Sequence, residues 1–404
     1  MKTIILLSAT LLLMLFANAQ IVNIPDANFK AALVGNSAIN TNIDTEIQVS
    51  EAYSYTGQLY VSNLNIIDLT GIEAFTAIFY LSCSGNQLSS IDVSNNTALT
   101  NIDCSSNDLT SLDVSNNTAL EYLHCSENQI SSLDLSNNTA ILELYCNYNQ
   151  LNTLNVYNCI EITRIWCCTN QLSTLDVSNN FVLDWLACHE NLLTTLDVSN
   201  NTFLELLTCR DNQLSSLDVS NNPVLLNLGC ERNQLSTLDV SNNPDLYYFY
   251  CGENQLSSLN LMNGNNTYIG YIMADTNPNL YCIEVDDSTW STANWTDTTF
   301  YQFDSIASFS NNCTTNTYDK LKTQELKLAP NPFNEKLSVL LPENTNADNI
   351  EIVLYNVLGK QIKVSTEKAN NEIIINGANL HSGIYFVEIR EQNKVIGNAK
   401  LIKQ

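Results

Sequence analysis

Leu99 to Leu120 reads LTNIDCSSNDLTSLDVSNNTAL, and its 21-residue cadence repeats along much of the chain. Nine cysteines keep the step: Cys83, Cys104, Cys125, Cys146, Cys167, Cys188, Cys209, Cys230 and Cys251. Asn86, Asn107, Asn128, Asn149, Asn170, Asn191, Asn212, Asn233 and Asn254 each follow a cysteine by three residues. Leu88, Leu109, Ile130, Leu151, Leu172, Leu193, Leu214, Leu235 and Leu256 come two residues later. A fixed period of this length is the mark of a solenoid, in which one short coil stacks on the next.

Within a coil the alternation around the cysteine predicts a short strand. Ile102 and Cys104 point in, and Asn101, Asp103 and Ser105 point out. Later in the coil Leu112 and Val114 point in around an outward Asp113. Six inward apolar positions result, represented by Leu99, Ile102, Cys104, Leu109, Leu112 and Val114. Burying each large aliphatic contributes about 1.5–3 kcal/mol, against about 1–2 kcal/mol to order each residue's backbone. One coil alone therefore does not fold, and the stack is the cooperative unit. The asparagine column sits where the chain leaves the strand, and its amides can satisfy backbone groups otherwise left unpaired. Nine such asparagines mark a scaffold rather than an active site.

The repeat resembles the leucine-rich repeat, L-x-x-L-x-L-x-x-N-x-L, with cysteine at the third leucine position. The expected class is mainly β: a leucine-rich-repeat solenoid with short parallel strands and little helix, followed by a small antiparallel β-sandwich.

Around the solenoid the chain divides by composition. Residues 1–19 read as a signal peptide, with Lys2, an apolar run from Ile4 to Phe16 and an A-x-A site at Ala17-Asn18-Ala19. Residues 20–77 read as an N-terminal cap with a degenerate first coil. In the cap, Ile24 to Gly35 predicts a helix N-capped by Asp26, with Phe29, Ala32 and Leu33 on one face. In that first coil Leu59, Leu64, Ile67 and Leu69 are expected inside. Regular coils occupy 78–262. Residues 263–313 lose the period, gain aromatics and read as a C-terminal cap, 314–326 as a linker, and 327–404 as a separate β domain. No later apolar run approaches the ~20 residues that span a membrane.

Residues 319–404 carry 11 Lys+Arg and 10 Asp+Glu, leaving 5 of the 16 basic and 32 of the 42 acidic residues in 1–318. Apart from Lys2, the basic residues there are Lys30, Arg164, Arg210 and Arg232. So acidic a surface repels nucleic acid and anionic lipid. Neighbouring ladder cysteines stand about 4.8 Å apart, within reach of a disulfide, but parallel stacked side chains are poorly oriented for one. They are expected to be free and to act as small hydrophobes. Cys282 and Cys313 flank a non-repetitive segment and are expected to form a disulfide, worth about 3–4 kcal/mol on loop entropy.

In the last domain Leu337–Pro342, Ile350–Gly359, Glu372–Gly377 and Gly383–Arg390 alternate as strands. Pro330-Asn331-Pro332-Phe333, Leu354-Tyr355-Asn356 with Leu358-Gly359, Leu380-His381-Ser382-Gly383-Ile384-Tyr385-Phe386 and the terminal Lys400-Leu401-Ile402-Lys403 resemble the C-terminal sorting domain of the type IX secretion system. That resemblance implies engagement of the type IX machinery and passage across the outer membrane of a Bacteroidota-type bacterium. The family usually loses the domain by cleavage, leaving a passenger that is secreted or held at the outer cell surface.

The leucine-rich-repeat resemblance places ligand binding on the concave strand face. Three columns of outward residues cross it, and Tyr122, His124, Tyr145, Arg164, Trp166, Trp185 and His189 concentrate there in the third to sixth coils. Exposed aromatics and arginine on rigid strands are the types that anchor interfaces, and flat rings suit the apolar faces of sugars. Tyr248 and Tyr250 form a smaller second patch. The plainer account is that Tyr and Trp favour strands and that Glu143 and Arg164 form a surface ion pair. The expected function is non-catalytic recognition or adhesion toward a protein or glycan; the alternative is a structural surface-layer protein without a discrete ligand. An enzyme is not expected. Asp103, His124 and Ser126 share the face, but no nucleophile elbow or oxyanion donor accompanies them. Cys168 and His189 alone fall short of a zinc site. The column Asp92, Asp113, Asp134, Asn155, Asp176, Asp197, Asp218, Asp239 and Asn260 needs compensation. Either each carboxylate accepts hydrogen bonds from the following Ser-Asn-Asn turn, or Ca²⁺ is bound. No other cofactor is expected.

Overall fold

Asn101 and Asp103 face outward while Ile102 between them is fully buried, and each coil repeats this three-residue strand. The computed structural model describes residues 20–313, 324–325, 327–341, 350–356, 360–369, 372–391 and 394–404. The expected signal segment, nearly all of the expected linker and the Leu358-Gly359 pair lie outside them.

The strands form one parallel twelve-stranded sheet. In order they are β1 (Gln58–Tyr60), β2 (Tyr80–Ser82), β3 (Asn101–Asp103), β4 (Tyr122–His124), β5 (Glu143–Tyr145) and β6 (Arg164–Trp166). Then come β7 (Trp185–Ala187), β8 (Leu206–Thr208), β9 (Asn227–Gly229), β10 (Tyr248–Tyr250), β11 (Tyr271–Met273) and β12 (Tyr301–Gln302). Each residue pairs with its equivalent one coil on, as in Tyr122 with Glu143 and His124 with Tyr145. Two strands of this sheet, β11 and β12, lie within the aperiodic 263–313 stretch. On the opposite side Thr237–Asp239, Ser258–Asn260, Cys282–Glu284 and Ser308–Ser310 make a second parallel sheet, and Ser132–Asp134 pairs with Thr153–Asn155.

All nine ladder cysteines are fully buried, and they are free together with Cys159 and Cys168. Burial pushes the Cys83, Cys125 and Cys209 thiols up to about 12. Cys282 and Cys313 are disulfide-bonded. Leu99, Ile102, Leu109, Leu112 and Val114 are buried with Cys104 as expected.

Past the strand the chain turns through a left-handed residue in every coil. Gly85 does this first at φ 65°, followed at φ of 52° to 56° by Ser106, Glu127, Tyr148, Thr169, Glu190, Asp211, Arg232 and Glu253. That conformation costs a non-glycine residue about 1–2 kcal/mol. The asparagine after it supplies compensation. Asn107 Nδ2 donates to the carbonyls of Cys83, Cys104 and Ser105, each at 3.1 Å, while its Oδ1 accepts the Leu88 N–H at 3.0 Å. A second asparagine ladder closes the far side of the coil. Asn117 Nδ2 donates to Val93 O at 3.1 Å and Asn96 O at 3.0 Å, and Asn138, Asn180, Asn201, Asn222 and Asn243 bond equivalently. Cys159 takes one rung of this second ladder, its thiol 3.6 Å from Asn138 O.

At the N-terminus α1 (Ala27–Val34) is capped by Asp26, which accepts the Asn28 and Phe29 N–H groups at 2.9 Å, and it buries Phe29 and Leu33. The first coil differs from expectation. Leu59 and Leu69 are buried, but Leu64 and Ile67 are exposed, and Val61 and Ile66 point in instead. Asn63 and Asn65 both have positive φ there and shift the inward register by one residue.

The chain separates into two compact units at Asn312. The second unit has a five-stranded and a four-stranded sheet, antiparallel except where Gln324–Glu325 joins the final strand. Phe333, Leu337, Val339, Leu354, Ile373, Ile375, Val387, Ile389 and Leu401 form its core. No helix among the described residues is long and apolar enough to cross a membrane.

Candidate functional site

The residues singled out on the strand face come together in most cases. Tyr122 and His124 on β4 each approach the Tyr145 ring of β5, with centroids 5.4 and 5.5 Å away. Tyr145 stacks on Trp166 of β6 at 4.6 Å and 10°, and Trp166 meets Trp185 of β7 at 5.4 Å. The Arg164 guanidinium lies 5.1 Å from the Trp185 ring centroid, with Glu143 Oε1 at 3.5 Å and Asp184 Oδ1 at 3.8 Å. Parallel register makes this row: equivalent side chains on adjacent strands stand about 4.8 Å apart, which is stacking distance. Rings and guanidinium are half-buried.

Electrostatics along the row are set by its carboxylates. His124 Nδ1 lies 3.4 Å from Asp103 Oδ1. Tyr145 Oη donates to Glu143 Oε2 at 2.7 Å. Desolvation, followed by that hydrogen bond, pushes the Tyr145 phenol up to about 12. Burial and then the charges of Asp103 and Glu143 raise the Tyr122 phenol. Burial raises the Asp184 carboxyl against the pull of Arg164.

His189 stands in a different group. Its Nδ1 is 3.2 Å from Thr208 Oγ1, and burial, then Arg210, hold its imidazole below its ordinary value. Arg210 pairs with Glu190 at 2.8 Å and Asp211 at 2.6 Å, and Arg232 with Glu253 at 2.9 Å. The outward column one residue after each ladder cysteine is only partly outward. Ser105, Ser126 and Cys168 are buried, because the left-handed turn beyond them folds the chain over that position. Ser126 Oγ accepts the Asn147 N–H at 3.2 Å and the Cys168 thiol faces Ala187 O at 3.4 Å.

The second patch is larger than two tyrosines. Tyr248 stacks on Tyr271 at 5.0 Å, Tyr271 meets Phe300 edge-on at 5.2 Å, and Tyr247 meets Tyr248 at 4.7 Å. Tyr271 was hidden from a 21-residue count because it pairs with Tyr248 at a spacing of 23.

The aspartate column satisfies itself locally. Ser94, Ser115, Ser178, Ser199, Ser220 and Ser241 N–H groups donate to the aspartate two residues back at 2.8–3.0 Å. Hydrogen bonds from Ser94, Ser115, Ser178, Ser199 and Ser220 hold Asp92, Asp113, Asp176, Asp197 and Asp218 below the ordinary carboxylate value. Such carboxylates stabilise the fold above their unfolded pKa, and that contribution is lost as pH falls through the lower folded value. The melting midpoint is therefore expected to drop below about pH 4. At neutral pH a calcium chelator is expected to leave the midpoint unchanged; a fall on chelation would assign the column to calcium.

Strand, turn and asparagine ladder together define a leucine-rich-repeat solenoid with an aromatic strand face. Residues 327–404 match the family described as "Secretion system C-terminal sorting domain", and this is the type IX sorting domain. The protein is thereby marked for export and for surface attachment or release. Among solved structures, the chain is similar to the functional domain of InlJ from Listeria monocytogenes, a domain that includes a cysteine ladder. The identity is 24% over 95% of this chain and 98% of that one, with a TM-score of 0.54. A leucine-rich-repeat protein of Leptospira interrogans aligns at 19% identity over 61% and 59% of the two chains, with a TM-score of 0.46. The internalin InlF of Listeria monocytogenes aligns at 22% identity over 68% and 94%, with a TM-score of 0.43. No curated protein sequence matches the chain.

Proposed function

We propose that this exported protein recognises a protein or glycan at the surface of a Bacteroidota-type cell, without catalysis, through its strand face. The observation that carries the reading is the continuous row Tyr122–Tyr145–Trp166–Trp185 with Arg164 over its end. Stacked rings half-open to solvent on a rigid sheet give a preorganised surface that loses little side-chain freedom on binding. The sorting domain supplies delivery by the type IX machinery, and the solenoid supplies recognition. Glu143 and Arg164, a partly exposed ion pair 3.5 Å apart and worth under about 1 kcal/mol, act by setting the field beside the rings.

The test is the triple variant Tyr145→Ala, Trp166→Ala, Trp185→Ala of the full chain on arrays of glycans and surface proteins. The wild type is expected to capture a ligand and the variant to lose it about 30-fold or more, with the melting midpoint nearly unchanged. Capture by neither would instead support a structural surface-layer protein without a discrete ligand, and equal capture by both would move binding away from the row.

A further inference from the structure

Among the described residues of the solenoid and its caps, the four Lys and Arg side chains are all committed to local carboxylates. Lys30 is held by Glu46 at 2.6 Å, Arg164 by Glu143 and Asp184, Arg210 by Glu190 and Asp211, and Arg232 by Glu253 and Asp211. Against these four stand 32 acidic residues in 1–318. The aromatic row lies inside this field, with Asp103 and Glu143 beside its rings and Asp184 at its end. Glu121 and Glu205, exposed, precede β4 and β8. A neutral ring surface in a strongly negative field favours a cation, because the ring faces are themselves negative.

The protein also contains an internal example of the contact. Arg164 lies over Trp185 with one carboxylate on either side of it. The row continues one step away: Tyr145 and Trp166 stack face to face and half-exposed, beside Glu143 and near Asp103 through His124. An incoming guanidinium on this stretch would meet half-exposed rings together with the carboxylates that flank them.

Resting on the concave-face reading above, we infer that the row Tyr122–Tyr145–Trp166–Trp185 binds an arginine-bearing segment of a partner polypeptide. Guanidinium is favoured over ammonium because it is planar, stacks on rings and bonds a carboxylate with two N–H groups at once. Arginines alternating with small residues in an extended segment project to one side about 6.5–7 Å apart, so two of them span one to two strand spacings of the row.

The experiment titrates the full chain with four probes. They are an alternating Gly-Arg peptide of about twelve residues, its Gly-Lys and Gly-Glu counterparts, and a neutral β-linked glucose hexasaccharide. The Gly-Arg peptide is expected to bind best. Trp166→Phe should keep that affinity within about threefold, and Trp166→Ala should lose about tenfold or more. Glu143→Gln should weaken the Gly-Arg peptide about threefold or more, and the outward Asp197→Asn on the opposite side should change nothing. Melting midpoints of all variants verify folding, and Trp166→Phe keeps the comparison valid should Trp166→Ala fold poorly. Equal peptide binding by every variant, vanishing with salt, is the bulk field alone and overturns the inference. Trp166-dependent binding of the hexasaccharide with none of the peptide also overturns it, but leaves the concave-face reading standing. Binding of neither probe overturns the arginine assignment, and the alanine triple on arrays then decides the broader reading separately.

Discussion

Asn128→Ala is expected to destabilise the solenoid by about 2–4 kcal/mol, a large effect for truncating one polar side chain of the scaffold. Its Nδ2 donates to Cys104 O at 3.1 Å, Cys125 O at 3.1 Å and Ser126 O at 3.2 Å, and its Oδ1 accepts the Leu109 N–H at 2.9 Å. Alanine strips the buried Leu109 N–H of its acceptor, and a buried orphan costs about 1–3 kcal/mol. It also removes one donor from each of three carbonyls, although Cys104 O keeps Asn107, Cys125 O keeps Asn149 and Ser126 O keeps the Ser106 N–H. The loss also falls on two coils at once, because the amide bonds to its own cysteine carbonyl and to that of the coil before. Asn137→Ala, an exposed position whose Nδ2 contact is 3.4 Å long, should change stability by less than about 0.5 kcal/mol. Urea unfolding of the two variants measures the difference; a loss below about 1 kcal/mol for Asn128→Ala would remove the asparagine ladder from the explanation.

Leu144→Ala should cost about 2–5 kcal/mol through lost burial and the cavity left behind. Leu144 is fully buried between Glu143 and Tyr145, so its side chain lies directly beneath the aromatic row. Neighbouring coils carry Leu123 and Ile165 at the paired positions, both fully buried, and fixed strand register limits their collapse into the void. Affinity for any ligand of the row should fall along with stability, since the strand that aims Tyr145 loses its packing. Loss of stability with unaltered affinity would show that the row is positioned independently of the core under it.

The legibility of this fold in the sequence follows from its period. Wherever the 21-residue step holds, the inward positions come out correctly: Ile102, Cys104, Leu109 and Val114 are buried, and the Tyr145–Trp166 stack follows from the register between equivalent positions. Reading fails where the step breaks. Asn63 and Asn65 adopt positive φ and move the inward side chain from Ile67 to Ile66, a one-residue slip that no hydrophobic count detects. Insertions after Cys251 move Tyr271 and Tyr301 out of phase, yet β11 and β12 still pair in parallel with the sheet. A second kind of miss is chemical. Ser105 and Cys168 look outward by alternation, but the left-handed turn after them ends the strand and buries them. The inner asparagine of each Ser-Asn-Asn turn reads as loop composition, and only the structure shows Asn117 as a buried rung bonding to Val93 and Asn96. The candidate row was legible as a cluster of residue types; its stacking order and the separation of His189 from it depend on side-chain directions that a sequence does not carry.

The central claim is that one handful of side chains, cysteine among them, faces inward at every coil. Alkylation by iodoacetamide at mildly alkaline pH, followed by intact mass, tests it most directly. Eleven thiols are free and buried, with Cys83, Cys125 and Cys209 among those pushed up to about 12, so the folded chain should take up no label while the urea-unfolded chain takes up eleven. Rapid labelling of several ladder cysteines in the folded protein would contradict the account.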